Sequence, residues 1–240
     1  MRRRGNKSMP LLSIIIPTLN EESTIGKVIE AIPREILGRM GYEFEVIVVD
    51  GGSTDRTVNI ALHKGARVIV VRRRGYGLAY LIGFRYAKGD VIATLDADMT
   101  YPPSEIPRML LALEKGGADF VSSNRFAKTE KYAFSSARML GNRLINLFVF
   151  LLFRFRIRDT QSGMWCFKRK SLSELVLSSF GMEFSTEIKL EALRKLRFIE
   201  IPIRYFQRRS GKSKIRYMRD GLRIVLFIIK YRILSALGIV

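Results

Sequence analysis

The chain has 240 residues, 48% of them hydrophobic, enough for one large or two small domains with a real core. Its 42 lysines and arginines against 22 acidic residues give a formal net charge of +20, so an anionic partner is expected: nucleic acid, a phosphorylated substrate or an acidic membrane face. A single cysteine, Cys166, excludes an internal disulfide and fits a reducing compartment, and a single histidine, His63, excludes a histidine-rich zinc site and leaves no credible Ser-His-Asp triad.

Residues 1–10 (MRRRGNKSMP) form a basic arm, suited to lipid headgroups, without the apolar stretch of a signal peptide. Residues 11–16 (LLSIII) read as a short buried strand stopped by Pro17, and residues 22–32 place Ile25, Val28, Ile29 and Ile32 on one helical face. Residues 45–50 (EVIVVD) read as a second strand. A helix over 53–64, opened by cap-type residues and carrying His63 on its surface, leads to a third strand over 67–71. A helix over 76–88 and a fourth strand over 90–95 follow. Next come a helix over 103–115 with proline near its start and a fifth strand over 118–122.

The second half changes character. Residues 138–158 mix bulky apolar side chains with arginines, and DTQSGMWCFKRK reads as a loop and a buried strand in which Cys166 is a packed thiol. A helix over 183–196, a strand over 198–203, a basic loop over 207–214 and an amphipathic helix from about Arg219 complete the chain. Residues 146–153 (NLFVFLLF) are too short to span a bilayer, and residues 224–229 run into Lys230 and Arg232. A soluble or membrane-surface placement is therefore expected over a spanning one.

Strands alternating with helices predict an α/β fold, with a mostly parallel sheet covered on both faces and ligands beyond the carboxyl ends of its strands. Polar groups gather there: Asn20 and Glu21, Asp50, Asp96 and Asp98, then Asn124 and Arg125. In VIATLDADMTYPPSEI, Asp96 and Asp98 end a hydrophobic run one residue apart. Such a pair offers hard oxygens to Mg²⁺ or Mn²⁺, which in turn grips a diphosphate. The plainer alternative is a helix-entry turn with a capping aspartate.

The ordered motifs IIIPTLNEE, VVDGGSTDRT, RGYGLAYLIGFRYAKGD, LDADMTYPP, SNRF, DTQSGM, EFSTEI and RRSGKSK resemble the family 2 glycosyltransferases of GT-A fold. They are most similar to the polyprenyl-phosphate branch, the dolichol-phosphate mannose and glucose synthases. The resemblance runs over residues 11–214 and implies one catalytic domain there, with 215–240 as an amphipathic membrane-interface helix leading toward membrane segments. It assigns Pro17, Leu19 and Glu21 to the nucleotide loop, Val48 and Asp50 to the wall around base and ribose, and Asp96, Ala97 and Asp98 to the metal-carrying segment. Arg125 falls near the phosphates, and Arg208 and Lys214 in a basic loop that closes over donor and acceptor. Asp98, Arg125, Arg208 and Lys214 are thereby the expected catalytic set.

Arg125, Arg138 and Asn142 are candidates for the acceptor phosphate, since arginine forks match phosphate oxygens. The alternative for Arg138 is a solvated helix charge. Asp159, Thr160, Gln161 and Ser162 match a loop facing the sugar, and Glu187 either reads hydroxyls too or is an ordinary helix surface residue. Residues 144–155 are expected to lie in a membrane surface, the alternative being sheet packing. Leu19, Gly51 and Thr100 depart from residues frequent in mannose synthases, which weakens mannose rather than the class.

The expected activity is inverting transfer of a hexose from a nucleotide sugar, GDP-mannose ahead of UDP-glucose, to dolichyl or polyprenyl phosphate. It is expected at the cytoplasmic membrane face, with a membrane-spanning partner subunit as a further partner. Two rivals differ in class. LDADMT matches the DxDxT nucleophile of haloacid-dehalogenase-type phosphatases, but follows three strands instead of opening the fold. A basic nucleic-acid binder would suit the charge, yet RNP, helix-turn-helix and zinc patterns are missing.

Overall fold

The computed structural model describes residues 9–129, 136–208 and 217–239. Seven strands form one sheet: β1 (Leu11–Thr18), β2 (Glu43–Asp50), β3 (Arg67–Val70), β4 (Val91–Thr94), β5 (Phe120–Thr129), β6 (Trp165–Lys168) and β7 (Phe198–Tyr205). Their order is β3-β2-β1-β4-β6-β5-β7. Pairings of β1 with β2 and β4, of β2 with β3 and of β5 with β7 are parallel, whereas β6 is antiparallel to both neighbours. All strands but β6 therefore point the same way, and their carboxyl ends share one edge.

Successive side chains of a strand point to opposite faces, so a sheet covered on both sides needs apolar residues at every position. Ile14, Ile16, Val46, Val48, Ala93 and Val121 face one layer, where they meet Ile25, Val28 and Ile29 of α1 (Ile25–Glu30) and Met109, Leu110 and Leu113 of α5 (Ile106–Lys115). Ile15, Ile47, Val49, Ile92, Phe120, Trp165 and Phe167 face the other. There they pack on Tyr80 and Phe84 of α4 (Tyr76–Tyr86) and on Phe184 and Ile188 of α7 (Phe184–Lys195). Short helices α2 (Arg34–Arg39) and α3 (Thr57–His63) fill the remaining crossovers. Cys166 is buried, and His63 is exposed at the end of α3.

Several boundaries differ from expectation for local reasons. β1 runs through Pro17, whose register partner is Val49 on β2; its pairing with β4 has already ended at Ile15, so the missing N–H falls where one flank is open. β5 continues past its apolar half to Thr129 because β7 pairs with it there, across an irregularity after Asn124. The helix expected over 22–32 is confined to α1, and Pro103–Glu105 forms a separate 3-10 turn before α5.

The long helix α6 (Ser136–Phe153) absorbs residues 146–153 and is long and apolar enough to cross a membrane by length and composition, which corrects the reading of that stretch as too short. Its Ile145 and Val149 nevertheless turn inward, onto Leu190 of α7 and onto Ile224, Ile228 and Tyr231 of α8 (Tyr217–Ala236). The outer faces stay apolar: Leu140, Leu144, Leu147, Phe148 and Leu151 on α6, and Leu222, Leu226, Ile229 and Ile233 on α8, are all exposed.

Layer spacing is tightest where α4 crosses β1. A Cβ added to Gly83 would stand 2.5 Å from Ile15 Cγ2 and 3.4 Å from Val49 Cγ2. Both neighbours are β-branched core residues with little freedom to move. Gly83→Val is expected to destabilise the fold by about 1–3 kcal/mol through overpacking, measured by urea denaturation.

Candidate active site

The common strand edge carries a cavity of about 520 Å³. Residues leaving β1 (Pro17, Leu19, Glu21) and β4 (Asp96, Ala97, Asp98) line it, joined by Arg125 of β5, Arg138 of α6, Gln161 from the loop before β6 and Arg208 beyond β7. Six separate segments of chain thus deliver expected residues to one place, at the edge where parallel topology gathers strand ends.

The turn after β4 aims the carboxylate pair. Met99 adopts a left-handed backbone (φ 64°), and Asp98 Oδ1 accepts hydrogen bonds from the Thr100 backbone N–H (3.1 Å) and hydroxyl (2.6 Å). Thr100, one of the departures from mannose synthases, therefore orients Asp98. Asp98 Oδ2 accepts from Arg208 Nη1 (2.9 Å), while Arg208 Nη2 donates to Glu21 Oε1 (2.6 Å), so one guanidinium links the exits of β1, β4 and β7. The capping alternative does not hold: Pro102 precedes the 3-10 turn, with no side-chain cap. Loss of solvent, then the Asp98 charge, push the Asp96 carboxyl up to about 7, although Arg125, Arg138 and Arg208 pull the other way.

These features fit a divalent cation. Two hard-oxygen carboxylates face the same cavity, and their mutual repulsion is what a dication removes. Among the described residues no cluster of three or more His, Cys, Asp or Glu side chains forms, so further ligands would come from substrate oxygens and water.

Other expected contacts lie behind the cavity wall, bonded to neighbouring chain. Asp50 is buried, its Oδ1 accepting from Thr18 Oγ1 (3.1 Å) and its Oδ2 from the N–H groups of Gly52 (3.0 Å) and Ser53 (2.8 Å). It shapes the loop around the cavity-lining Gly51 instead of lining the cavity, and Val48 lies in the core beneath. Asp159 is buried under Arg125, which donates to it from Nε (2.7 Å), Nη2 (2.8 Å) and its backbone N–H (3.0 Å). The Ser162 hydroxyl donates to the Ser123 carbonyl (2.7 Å).

Glu187 is neither exposed nor in the cavity; it accepts from the backbone N–H groups of Ser178 (3.0 Å) and Ser179 (2.9 Å) and fixes that turn. Asn142, one helical turn after Arg138, is buried, has no hydrogen bond to either amide atom among the described residues, and does not line the cavity. Lys214 lies outside the described residues.

Arg74, Tyr76, Tyr101, Met182 and Tyr205 also line the cavity, and sequence reasoning missed them. Tyr76 had a signal in the glycines around it. A Cβ at Gly75 or Gly77 would fall 2.6 or 2.4 Å from the carbonyl oxygens of Phe180 and Ser179, so only glycine lets α4 begin against that loop and bring Tyr76 to the cavity. Tyr101 accepts the Gly163 N–H on its hydroxyl (2.8 Å) and packs edge-on against Tyr205, over which Arg125 stacks at 5.4 Å.

The Arg125–Asp159 pair yields a prediction. Burial pushes the Asp159 carboxyl up, but the Arg125 charge and hydrogen bonds outweigh it and leave the group below its ordinary value. The folded value is thus under the unfolded value of about 3.9. The pair's stabilisation is complete above that pH and is lost as pH falls through the folded value. Asp159→Asn is expected to lose about 3–5 kcal/mol at neutral pH, because Arg125 is left uncompensated. Thermal melts below about pH 4 should show the gap to the unmodified protein narrowing.

Comparison with known proteins bears on the family and the fold. A family model described as glycosyl transferase family 2 matches residues 13–176. The low-salt glycan biosynthesis hexosyltransferase Agl6 of Haloferax volcanii is 38% identical over 224 residues, covering 92% of this chain and 53% of that protein. A dolichyl-phosphate hexose transferase of the same organism is 33% identical over 220 residues, covering 91% of this chain and 92% of that protein. The chain therefore spans about half the length of the first and nearly all of the second. Glucosyl-3-phosphoglycerate synthase from Mycobacterium tuberculosis, solved with Mn²⁺, UDP and glucosyl-3-phosphoglycerate, has a TM-score of 0.74 at 22% identity, over 93% of this chain and 80% of that one. That likeness bears on the fold, and the expected GT-A architecture is the one observed. The family match across the first strands, the carboxylate turn and β6 leads to one conclusion: the chain belongs to glycosyl transferase family 2.

Proposed function

We propose that the protein transfers a hexose from a nucleotide sugar to a polyprenyl phosphate, with inversion at the anomeric carbon. The observation that carries this reading is a single cavity in which Asp96 and Asp98 face Arg125, Arg138 and Arg208. Such a mixed site can take two anions at once: a diphosphate through a cation and an arginine, and a monophosphate through arginines alone. The names of the two Haloferax relatives, one a hexosyltransferase and one acting with dolichyl phosphate, support it. The motif resemblance favours GDP-mannose as donor, with UDP-glucose as the alternative.

Asp96 and Asp98 would hold Mg²⁺ or Mn²⁺, which when bound supplies positive charge against the departing diphosphate. Arg208, already bonded to Asp98, adds a fixed positive charge on the same side. Arg138, which lines the cavity, is suited to the acceptor phosphate. That phosphate is largely anionic near pH 7, so its oxygen attacks the anomeric carbon without a general base. The new C–O bond forms as the bond to the nucleoside diphosphate breaks, and the leaving group takes the electron pair.

A lipid acceptor also gives the apolar outer faces of α6 and α8 a role. They would lie in the membrane surface at its cytoplasmic side, with the basic surplus of the chain directed to acidic headgroups.

Purified protein with dolichyl phosphate and Mg²⁺ or Mn²⁺ is expected to make lipid-linked hexose faster from GDP-mannose than from UDP-glucose. Lipid-dependent transfer from neither donor would overturn the proposal. Asp98→Ala should lower turnover by about 10²-fold or more with an unchanged circular dichroism spectrum. Arg138→Ala should raise the KM for the lipid phosphate about tenfold, by loss of a charge-assisted hydrogen bond, and leave the nucleotide-sugar KM within about twofold.

A further inference from the structure

A lysine sits where α7 presses on the sheet. Lys189 is fully buried, a rare environment for an ammonium group, which needs compensating hydrogen bonds when it leaves water. Burial draws it down to about 7, against the opposing pull of the Asp159 and Glu200 carboxylates. Its Nζ donates to the Asp159 carbonyl oxygen and to Ser162 Oγ, each at 2.6 Å.

Those two partners bracket the segment that enters the cavity. Between them stands Gln161, whose Nε2 donates to Thr186 Oγ1 (2.5 Å), also on α7. From the other side, Glu200 of β7 accepts the backbone N–H of Asp159 (2.9 Å) and of Arg158 (2.8 Å). The Asp159 carboxylate in turn grips Arg125, which lines the cavity. Lys189 is shielded from the cavity yet ties both ends of a segment whose side chains act on it.

We propose that Lys189 is a positioning residue for sugar transfer: its Nζ fixes the 159–162 segment, and through it the Arg125 guanidinium and the Gln161 amide, against the reacting sugar and the acceptor phosphate. The inference rests on the glycosyl-transfer reading above. A lysine that only stabilised the core would change melting behaviour and leave the chemistry of the folded molecules alone.

The test compares Lys189→Met, which keeps side-chain length without a donor, with Ser162→Ala, a milder cut of the same link, and with the double variant. Each is assayed with Mg²⁺ or Mn²⁺, nucleotide sugar and dolichyl phosphate at a temperature where thermal melts show it folded. Backbone hydrogen exchange over 159–163 is followed in parallel by mass spectrometry. Lys189→Met is expected to speed that exchange about tenfold and to lower kcat about 10–10²-fold, with the nucleotide-sugar KM moving less than about threefold. Ser162→Ala should move both readouts the same way by less, and the double variant should fall short of the product of the single effects, because the Lys189–Ser162 link is common to both while the Ser162 bond to the Ser123 carbonyl is lost in addition.

A folded Lys189→Met with kcat within about twofold of the unmodified protein overturns the proposal, as do independent, multiplying effects of the two substitutions. If Lys189→Met does not fold, Ser162→Ala decides: unchanged kcat and exchange overturn the proposal. If the unmodified protein transfers no sugar, the functional reading fails by itself. The exchange measurement then still decides whether Lys189 anchors the segment, and unchanged protection refutes it.

Discussion

The site depends on one buried ion pair. Arg125 and Asp159 are almost wholly removed from water, at 5% and 0% side-chain exposure. Such burial is tolerable only when every charge is matched by close hydrogen bonds. The pair meets that condition with two guanidinium bonds and a backbone N–H on one carboxylate. It welds β5 to the segment before β6, and Lys189 and Glu200 secure that segment from α7 and β7. A cation held this firmly acts as a fixed part of the cavity wall, which is what electrostatic preorganisation requires.

An acidic pair in so basic a chain needs such a setting. With a surplus of positive charge over the whole sequence, two neighbouring carboxylates would be expected to ionise readily, yet Asp96 is held up near 7. Burial and the proximity of Asp98 win over three arginines. The cavity is thus prepared for more positive charge than the protein itself supplies, while its arginines remain directed to anions.

Much of this was legible in the sequence because the sheet is covered on both sides. Unbroken apolar runs such as EVIVVD mark buried strands without ambiguity, and the polar residues that end them fall at the ligand edge. The reversal of β6 left no such mark, since a short run of three buried apolar residues, Trp165, Cys166 and Phe167, reads the same in either direction. Nor could motif position separate residues that line the cavity from those packed behind its wall. Asp50, Asp159, Ser162 and Glu187 all fall within the matching motifs, yet their polar atoms bond to neighbouring backbone or to Arg125. Lys189 was invisible for a related reason: in EFSTEIKLEALRK it stands among charges that resemble a solvated face, and only the packing of α7 shows that the face is turned inward.

The lone antiparallel strand has a geometric consequence. Because β6 runs backwards, its entry rather than its exit lies at the ligand edge, and the chain leaves Lys168 on the opposite side of the sheet, beside Val91 and Asp119. The 3-10 turn that follows at Arg169–Glu174 is therefore remote from the carboxylates. One inverted strand thus sets the rim that holds the cavity apart from an opposite margin, where Arg169 donates to the Gly89 carbonyl (2.7 Å) and Leu172 packs on the core.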